Sequence, residues 1–415
     1  MDATAMPTFY RRIYPYKSIF LWLNHEHNPT KLFTHREFAF TLPGDVYLRY
    51  QSFANAEEFK KQLCSMTPTR FEIGPVYSGR PRDRKTLRPS AFVPVQRELV
   101  FDIDMTDYDN IRTCCSGAAI CKRCWGFIAA AVKVLDKAIR DQFGYQHLLW
   151  VYSGRRGIHL WISDQEAVDL TDDQRKAIVN YLTVVATSKE ASKHLNVRSN
   201  GALPSLLSNA LLDLGTIFDS LILKDQDLFA GEQAWLALLE LLPQSMRGTL
   251  EAKWSSGEKN SSAKWDDVKG VINGLKSQSP AAFNTALAAM EDIVISYTYP
   301  RLDAEVSKHR NHLLKAPFCV HPGTGRVCVP VDPSEVDMFD PAAVPTIGQL
   351  LQELDTIREG SSELPQEHHN DWEKTSLKPY VDMLDKHCLR LVEEARHARR
   401  GAPGKYLTVL FGRPY

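Results

Sequence analysis

The sequence predicts a mixed α/β (α+β) chain: a core built on a mixed sheet, interrupted by an inserted helical subdomain. Three observations predict it. Residues 36–53, 98–105 and 147–162 alternate apolar and polar positions with the two-residue period of strands. Trp125 to Phe143 instead repeats its apolar residues at helical spacing. From about Leu203 to Met290 the texture is Leu/Ala-rich and helical, broken at Pro243, at Ser255 to Gly257 and at Ser277 to Pro280.

Taken in order, residues 36–53 fold around Pro43-Gly44-Asp45 as a β-hairpin. Glu98 to Met105 is a strand with Leu99, Phe101, Ile103 and Met105 on one face and Asp102 and Asp104 on the other. The helix from Trp125 to Phe143 ends at Gly144, a residue type that favours the left-handed stop. His147 to Tyr152 and Gly157 to Ile162 are strands joined by the turn Ser153 to Gly157. Thr171 to Gln174 is a capping box that opens a helix to about Ala186. Strand character returns at Ile293 to Tyr299 and at 326–331. Residues 352–373, rich in Glu, Ser and His, are expected to be an exposed linker before a C-terminal helix from Lys378 to Arg396. The domain scheme is therefore 1–190 for the first part of the core, 191–290 for the helical subdomain, 291–345 for the second part of the core, and 346–415 for a linker with a C-terminal helical segment.

Composition excludes several classes. With 415 residues, 44% of them hydrophobic, the chain buries a large core and is not a disordered polymer. Lys plus Arg and Asp plus Glu balance at 50 each, so a polyanion must be met by local patches. Two patches stand out: Arg80 to Arg88, and Arg390 to Lys405. No strictly apolar run reaches about 18 residues, Trp125 to Val132 being cut by Lys133, which predicts no membrane span and no membrane partner. The N-terminus lacks the apolar segment of a secretory signal, so a reducing, intracellular setting is expected. There the 8 cysteines are not a disulfide framework, and half of them fall between Cys114 and Cys124.

Those cysteines, Cys114, Cys115, Cys121 and Cys124, supply the four thiolates of a structural Zn²⁺ site. Four sulfur ligands leave no position for water. Adjacent Cys114 and Cys115 diverge along the chain, so one ligand from elsewhere stays an alternative. Asp102 and Asp104 repel each other on one strand face and call for cations; oxygen ligands suit Mg²⁺ or Mn²⁺, with solvated edge carboxylates as the bland alternative. Ser153-Gly154-Arg155-Arg156-Gly157-Ile158-His159 places two guanidiniums, a hydroxyl and an imidazole on a glycine-flanked turn, which is equipment for a triphosphate or an ordinary hairpin turn. His312-Leu313-Leu314-Lys315 and His321 add cationic or hydrogen-bonding groups. Asp303 is a third metal ligand or a partner of Arg301.

In these residues the chain resembles the small catalytic subunit of the archaeal and eukaryotic replicative DNA primase, the eukaryotic members most closely. The resemblance rests on YLRYQSF (47–53), ELVFDIDMTDYD (98–109), the cysteine cluster, LWVYSGRRGIH (149–159), YPRLD (299–303), NHLLKAPFCVHP (311–322) and KTSLKPY (374–380). It implies a DNA-dependent RNA polymerase that makes short primers de novo on the mixed α/β prim fold. Asp102, Asp104 and Asp303 would then bind catalytic Mg²⁺ or Mn²⁺, with Glu37 as a further active-site acid. Arg49, Asp102, Asp104, the whole Ser153 to His159 turn, His312, Leu313, Leu314, Lys315 and His321 would hold the incoming ribonucleoside triphosphate. The partners implied are the large primase subunit, the DNA polymerase α complex, single-stranded DNA template and RNA primer, in the nucleus. One departure is Glu72, where the family often has Asp. Two other readings stay open: a primase-polymerase of damage tolerance or repair, and a non-catalytic zinc-bearing nucleic-acid-binding subunit.

Overall fold

In a computed structural model the chain is described over residues 5–185, 195, 197–359 and 370–400. Nine strands occur among these residues: β1 Arg36–Leu42, β2 Val46–Gln51, β3 Arg70–Tyr77, β4 Pro94–Gln96, β5 Leu99–Asp104, β6 Leu148–Tyr152, β7 Gly157–Ile162, β8 Leu314–Lys315 and β9 Pro330–Val331. They form two antiparallel sheets. The first runs β2-β1-β3-β4, with β8 also on β3. The second runs β5-β7-β6-β9. The hairpin at 36–53 and the strands at 98–105, 147–152 and 157–162 thus form as the alternation predicts.

The segment from β8 to β9 stitches the two sheets together. β8 pairs with β3 through Glu72↔Lys315 and Ile73↔Leu314, and β9 pairs with β6 through Trp150↔Val331. Both sheets are backed by helices. Phe33, Phe38, Phe59 and Phe71 pack edge-on or tilted under the first sheet, and Trp22 meets Trp161 at 5.3 Å under the second. Helix Lys122–Phe143 runs along the second sheet and ends, as expected, at Gly144 in the left-handed region (φ 75°). The Thr171 capping box is present, but its helix stops at Leu182; Ala186 lies outside the described residues.

Between the sheets' foundations sits a buried ion pair. Arg36 donates to both oxygens of Glu98 at 2.7 and 2.9 Å and also to the carbonyls of Leu32 and Gly74. Burial alone would raise the Glu98 pKa; the guanidinium outweighs it and holds the carboxyl below its usual value.

Four expectations need correction. Ile293 to Tyr299 is not a strand but the end of helix Pro280–Thr298, capped by the Ser279 hydroxyl and started by Pro280. Ile293, Val294 and Ile295 are buried there, and their packing overrides their β-branched preference. At 326–331 only Pro330–Val331 is strand, with single bridges at Val320↔Val327 and Arg326↔Thr346. The stretch read as a linker from 352 begins inside helix Ile347–Glu359, anchored by buried Leu350 and Leu354; residues 360–369 and Lys405 lie outside the described residues. Finally, Ser205–Asp225 has a mean hydropathy of 1.5 and is, by length and composition, long enough to cross a bilayer. A search for strictly apolar runs misses it because Asp213 and Asp219 interrupt it. Here its face of Leu206, Leu207, Leu214 and Phe218 is buried, in contact with helix Lys122–Phe143 and the helices that follow.

Candidate active site

β5 and β7 set the site. Their antiparallel register places Asp102 opposite His159 and Asp104 opposite Gly157. Residue 157 must be glycine: a Cβ there would lie 2.5 Å from the Ile103 carbonyl oxygen and force the carboxylate strand away. Gly154 has φ +85°, and its Cβ would fall 2.7 Å from His321 Cβ. Both glycines therefore let the turn approach other backbone more closely than any side chain allows.

Asp303 joins from a remote segment. Its backbone N–H donates to the Asp102 carbonyl at 3.1 Å, which brings a third carboxylate to the strand end. It does not take Arg301, whose guanidinium goes to the Asp107 carbonyl and the Asn110 side chain. Burial, then the charges of Asp104 and Asp303, push Asp102 up to about 7. Asp104 behaves oppositely: burial would raise it, but the Thr106 N–H and hydroxyl at 2.8 and 2.7 Å and the Arg156 Nε at 2.9 Å hold it below the usual carboxylate range. Asp107, which the sequence reading passed over, is pushed up to about 6 by burial, Asp104 and Asp303. A third acid within FDIDMTDYD was the signal that could have found it.

The phosphate-binding candidates converge on one side. The Lys315 ammonium donates to the Ser153 carbonyl, and the Ser153 hydroxyl accepts from the Gly157 N–H at 3.0 Å. Burial and the cations Lys315, Arg155, Arg156 and Arg70 lower His321 to about 4, so its imidazole is neutral in a positive field. Burial and Lys315 lower His159 to about 3; its Nε2 stands 3.6 Å from Asp102, beyond hydrogen-bond range. Arg155 lines a cavity of about 350 Å³ with Lys122, Tyr152, Thr324 and Arg326.

Other candidates serve differently. Ile158 and Leu314 are buried core side chains, so only their backbones can face a ligand. Leu313 flanks Gly74 beside Glu37, and His312 is exposed. Glu37 is fully buried and satisfied: Arg49 donates to it at 2.9 and 3.1 Å, the Tyr50 N–H at 3.1 Å and the Tyr77 hydroxyl at 3.1 Å. Arg49 is thereby tied to Glu37 on the first sheet. Glu72 accepts from the Tyr47 hydroxyl at 2.5 Å.

The sulfurs of Cys114, Cys115, Cys121 and Cys124 lie within 4.8 Å of one another, so the adjacent pair does converge and no ligand from elsewhere is needed. Tetrahedral zinc with bonds of about 2.3 Å needs sulfurs roughly 3.8 Å apart, which the cluster fits. Burial opposes ionisation of Cys121, but the Cys124 N–H and the thiols of Cys114 and Cys115 hold it at about 7. Arg112 at 3.7 Å from Cys124 and Gln226 at 3.6 Å from Cys114 supply further donors to the sulfurs. The cluster caps helix Lys122–Phe143, whose first turn borders the Arg155 cavity.

Residues 101–333 match the family described as DNA primase small subunit. The chain is 50% identical to the DNA primase small subunit of Schizosaccharomyces pombe, over 86% of the chain and 78% of that protein. It is 38% identical to that of Drosophila melanogaster, over 95% and 92%. Identity to the DNA primase small subunit PriS of Methanobrevibacter smithii is 27%, over 74% and 86%.

Proposed function

The chain belongs to the DNA primase small subunit family, and from that premise we propose that it is a nucleotidyltransferase that makes short RNA primers de novo on single-stranded DNA. The observation that carries the reading is the convergence of Asp102, Asp104 and Asp303 beside a turn whose guanidiniums, with Lys315, surround a neutral His321. Mutually repelling carboxylates suit divalent cations, and an all-oxygen donor set suits Mg²⁺ or Mn²⁺. When bound, such ions supply charge stabilisation for in-line phosphoryl displacement. Arg155, Arg156, Lys315 and His321 hold the triphosphate. Arg156 pairs with Asp104, a carboxylate that would hold a cation, and the same guanidinium would be available to phosphate with a cation there. His159 stays neutral and fills the strand opposite Asp102. Glu37 keeps Arg49 and Tyr50 in place at the margin of the site.

The cysteine cluster holds one structural Zn²⁺ in this reading, tying the loop after β5 to the next helix. Elemental analysis should find about one zinc per chain, and Cys121→Ser should lose the zinc and lower the melting temperature. A metal-free wild-type protein with unchanged stability would remove the assignment. The partners we assign are a large primase subunit, which the small-subunit names of the relatives support, and through it the DNA polymerase α complex, at work in the nucleus. Incubation with unprimed single-stranded DNA, ribonucleoside triphosphates and Mg²⁺ or Mn²⁺ should yield new oligoribonucleotides. No product, or product from deoxyribonucleotides alone, would overturn the reading.

A further inference from the structure

The first sheet carries a constellation that the chemistry above leaves unused. Tyr50 adopts φ +62°, a left-handed conformation unusual for an aromatic residue. Its N–H is held there by Glu37. The guanidiniums of Arg84 and Arg49 lie 4.0 and 4.9 Å from its ring centre. Beside it, Tyr77 and Phe92 are stacked at 4.1 Å and 2°. Tyr50 is 6.3 Å from Tyr77 and 6.0 Å from Phe92, nearly equidistant, so it lies alongside the stack and does not cover the outer face of half-exposed Phe92.

Charge completes the pattern. Of the five cations between Arg80 and Arg88, Arg80 pairs with Asp83 and Arg82 with Glu58. Arg84, Lys85 and Arg88 are exposed and have no carboxylate partner among the described residues. A row of uncompensated cations next to stacked rings is the arrangement that tracks a single-stranded backbone while accepting bases on aromatic faces. A duplex, with its bases already stacked, cannot use the rings, and an acidic protein segment has no need of them.

We propose that Phe92, Tyr50, Arg84, Lys85 and Arg88 form the surface that grips single-stranded DNA, delivering it past Glu37 to the carboxylates. The strand's role as template rests on the proposed function; the gripping itself does not. The test uses the full chain and a fluorescent oligothymidylate of about twenty nucleotides, followed by anisotropy across salt concentrations. The combined variant Arg84→Ala, Lys85→Ala, Arg88→Ala should weaken binding about tenfold or more and lessen the salt slope by about two, near 0.7 for each lost phosphate contact. Phe92→Leu keeps apolar volume but removes the flat face, and should weaken binding about tenfold with its salt slope unchanged. Both variants should melt as wild type does and bind Mg·ATP normally. Unchanged oligothymidylate affinity in both variants overturns the proposal, as does equal weakening of a DNA duplex by Phe92→Leu. Failure of primer synthesis by wild-type protein that still grips the oligonucleotide through these residues would overturn the proposed function and leave this surface standing.

Discussion

Glu98 and Asp102 sit four residues apart on and beside one strand, yet the fold treats them in opposite ways. Glu98 is buried with both oxygens on Arg36, and its pKa is lowered. Asp102 has neutral His159 at 3.6 Å and the carboxylates of Asp104, Asp303 and Asp107 around it, which the charge of Lys315 offsets only in part, and burial with these carboxylates raises its pKa to about 7. A buried acid that is fully paired holds the scaffold together. A crowded acid without a cation partner costs the scaffold free energy and persists for what it binds.

The largest way to break this contrast is to remove each acid. Asp102→Ala or Asp104→Ala should lower primer synthesis by more than about a thousandfold; metal-free stability should stay level or rise for Asp102→Ala, because repulsion is relieved, and fall for Asp104→Ala, which loses the Thr106 hydrogen bonds and the Arg156 pair. Near-normal synthesis by either variant would make these carboxylates ordinary. Glu98→Gln should do the reverse, costing about 3–5 kcal/mol in urea unfolding because the Arg36 charge stays buried with half its pairing gone. What folded protein remains should synthesise primers normally.

A third test sharpens the comparison by pH. Asp102 has a folded pKa above its unfolded value, so its contribution is favourable below about pH 4 and lost as pH rises through 7. Glu98 has a depressed folded pKa, so its contribution is present above its unfolded value and lost as pH falls through the folded one. In chelator, Asp102→Asn should therefore gain on wild type as pH rises from 5 to 8, by at most about 3 kcal/mol. A constant difference across that range would remove the assigned shift. The smallest effect concerns the cations opposite. Arg155→Ala or Arg156→Ala should each weaken ribonucleotide binding by roughly ten- to a hundredfold, from lost charge-assisted hydrogen bonds, measured by calorimetry. Oligothymidylate binding should scarcely change.

Much of this contrast was legible locally. Strand period placed Asp102 and Asp104 on one face, and the two arginines on the glycine-flanked 153–159 turn marked it as an anion-binding candidate. The cysteine spacing announced a four-sulfur cluster able to hold a metal. What could not be read was long-range. Nothing near Glu98 names Arg36, which is 62 residues away. Tyr50 reads as an ordinary strand residue, and only the register shift between β1 and β2, with its N–H on the Glu37 carboxylate, reveals the left-handed backbone. Ile293 to Tyr299 failed for the same reason: β-branched residues look like strand until the surface that buries them is known.

The stitch formed by β8 and β9 also has a bearing on how the molecule is made. Both sheets wait for residues 314–331, because Lys315 and Val331 belong to opposite sheets and lie close together in the chain. On a ribosome adding about 5–20 residues each second, that stretch is synthesised roughly 15 s to a minute after initiation. Until then the nascent chain carries β6 with an open edge and β3 with Glu72 and Ile73 lacking their β8 partners, and Ser153 has no lysine to close its turn. Closure of the 153–157 turn by Lys315 is therefore a late event in biosynthesis, and the interval before it is when this chain most needs its exposed strand edges shielded.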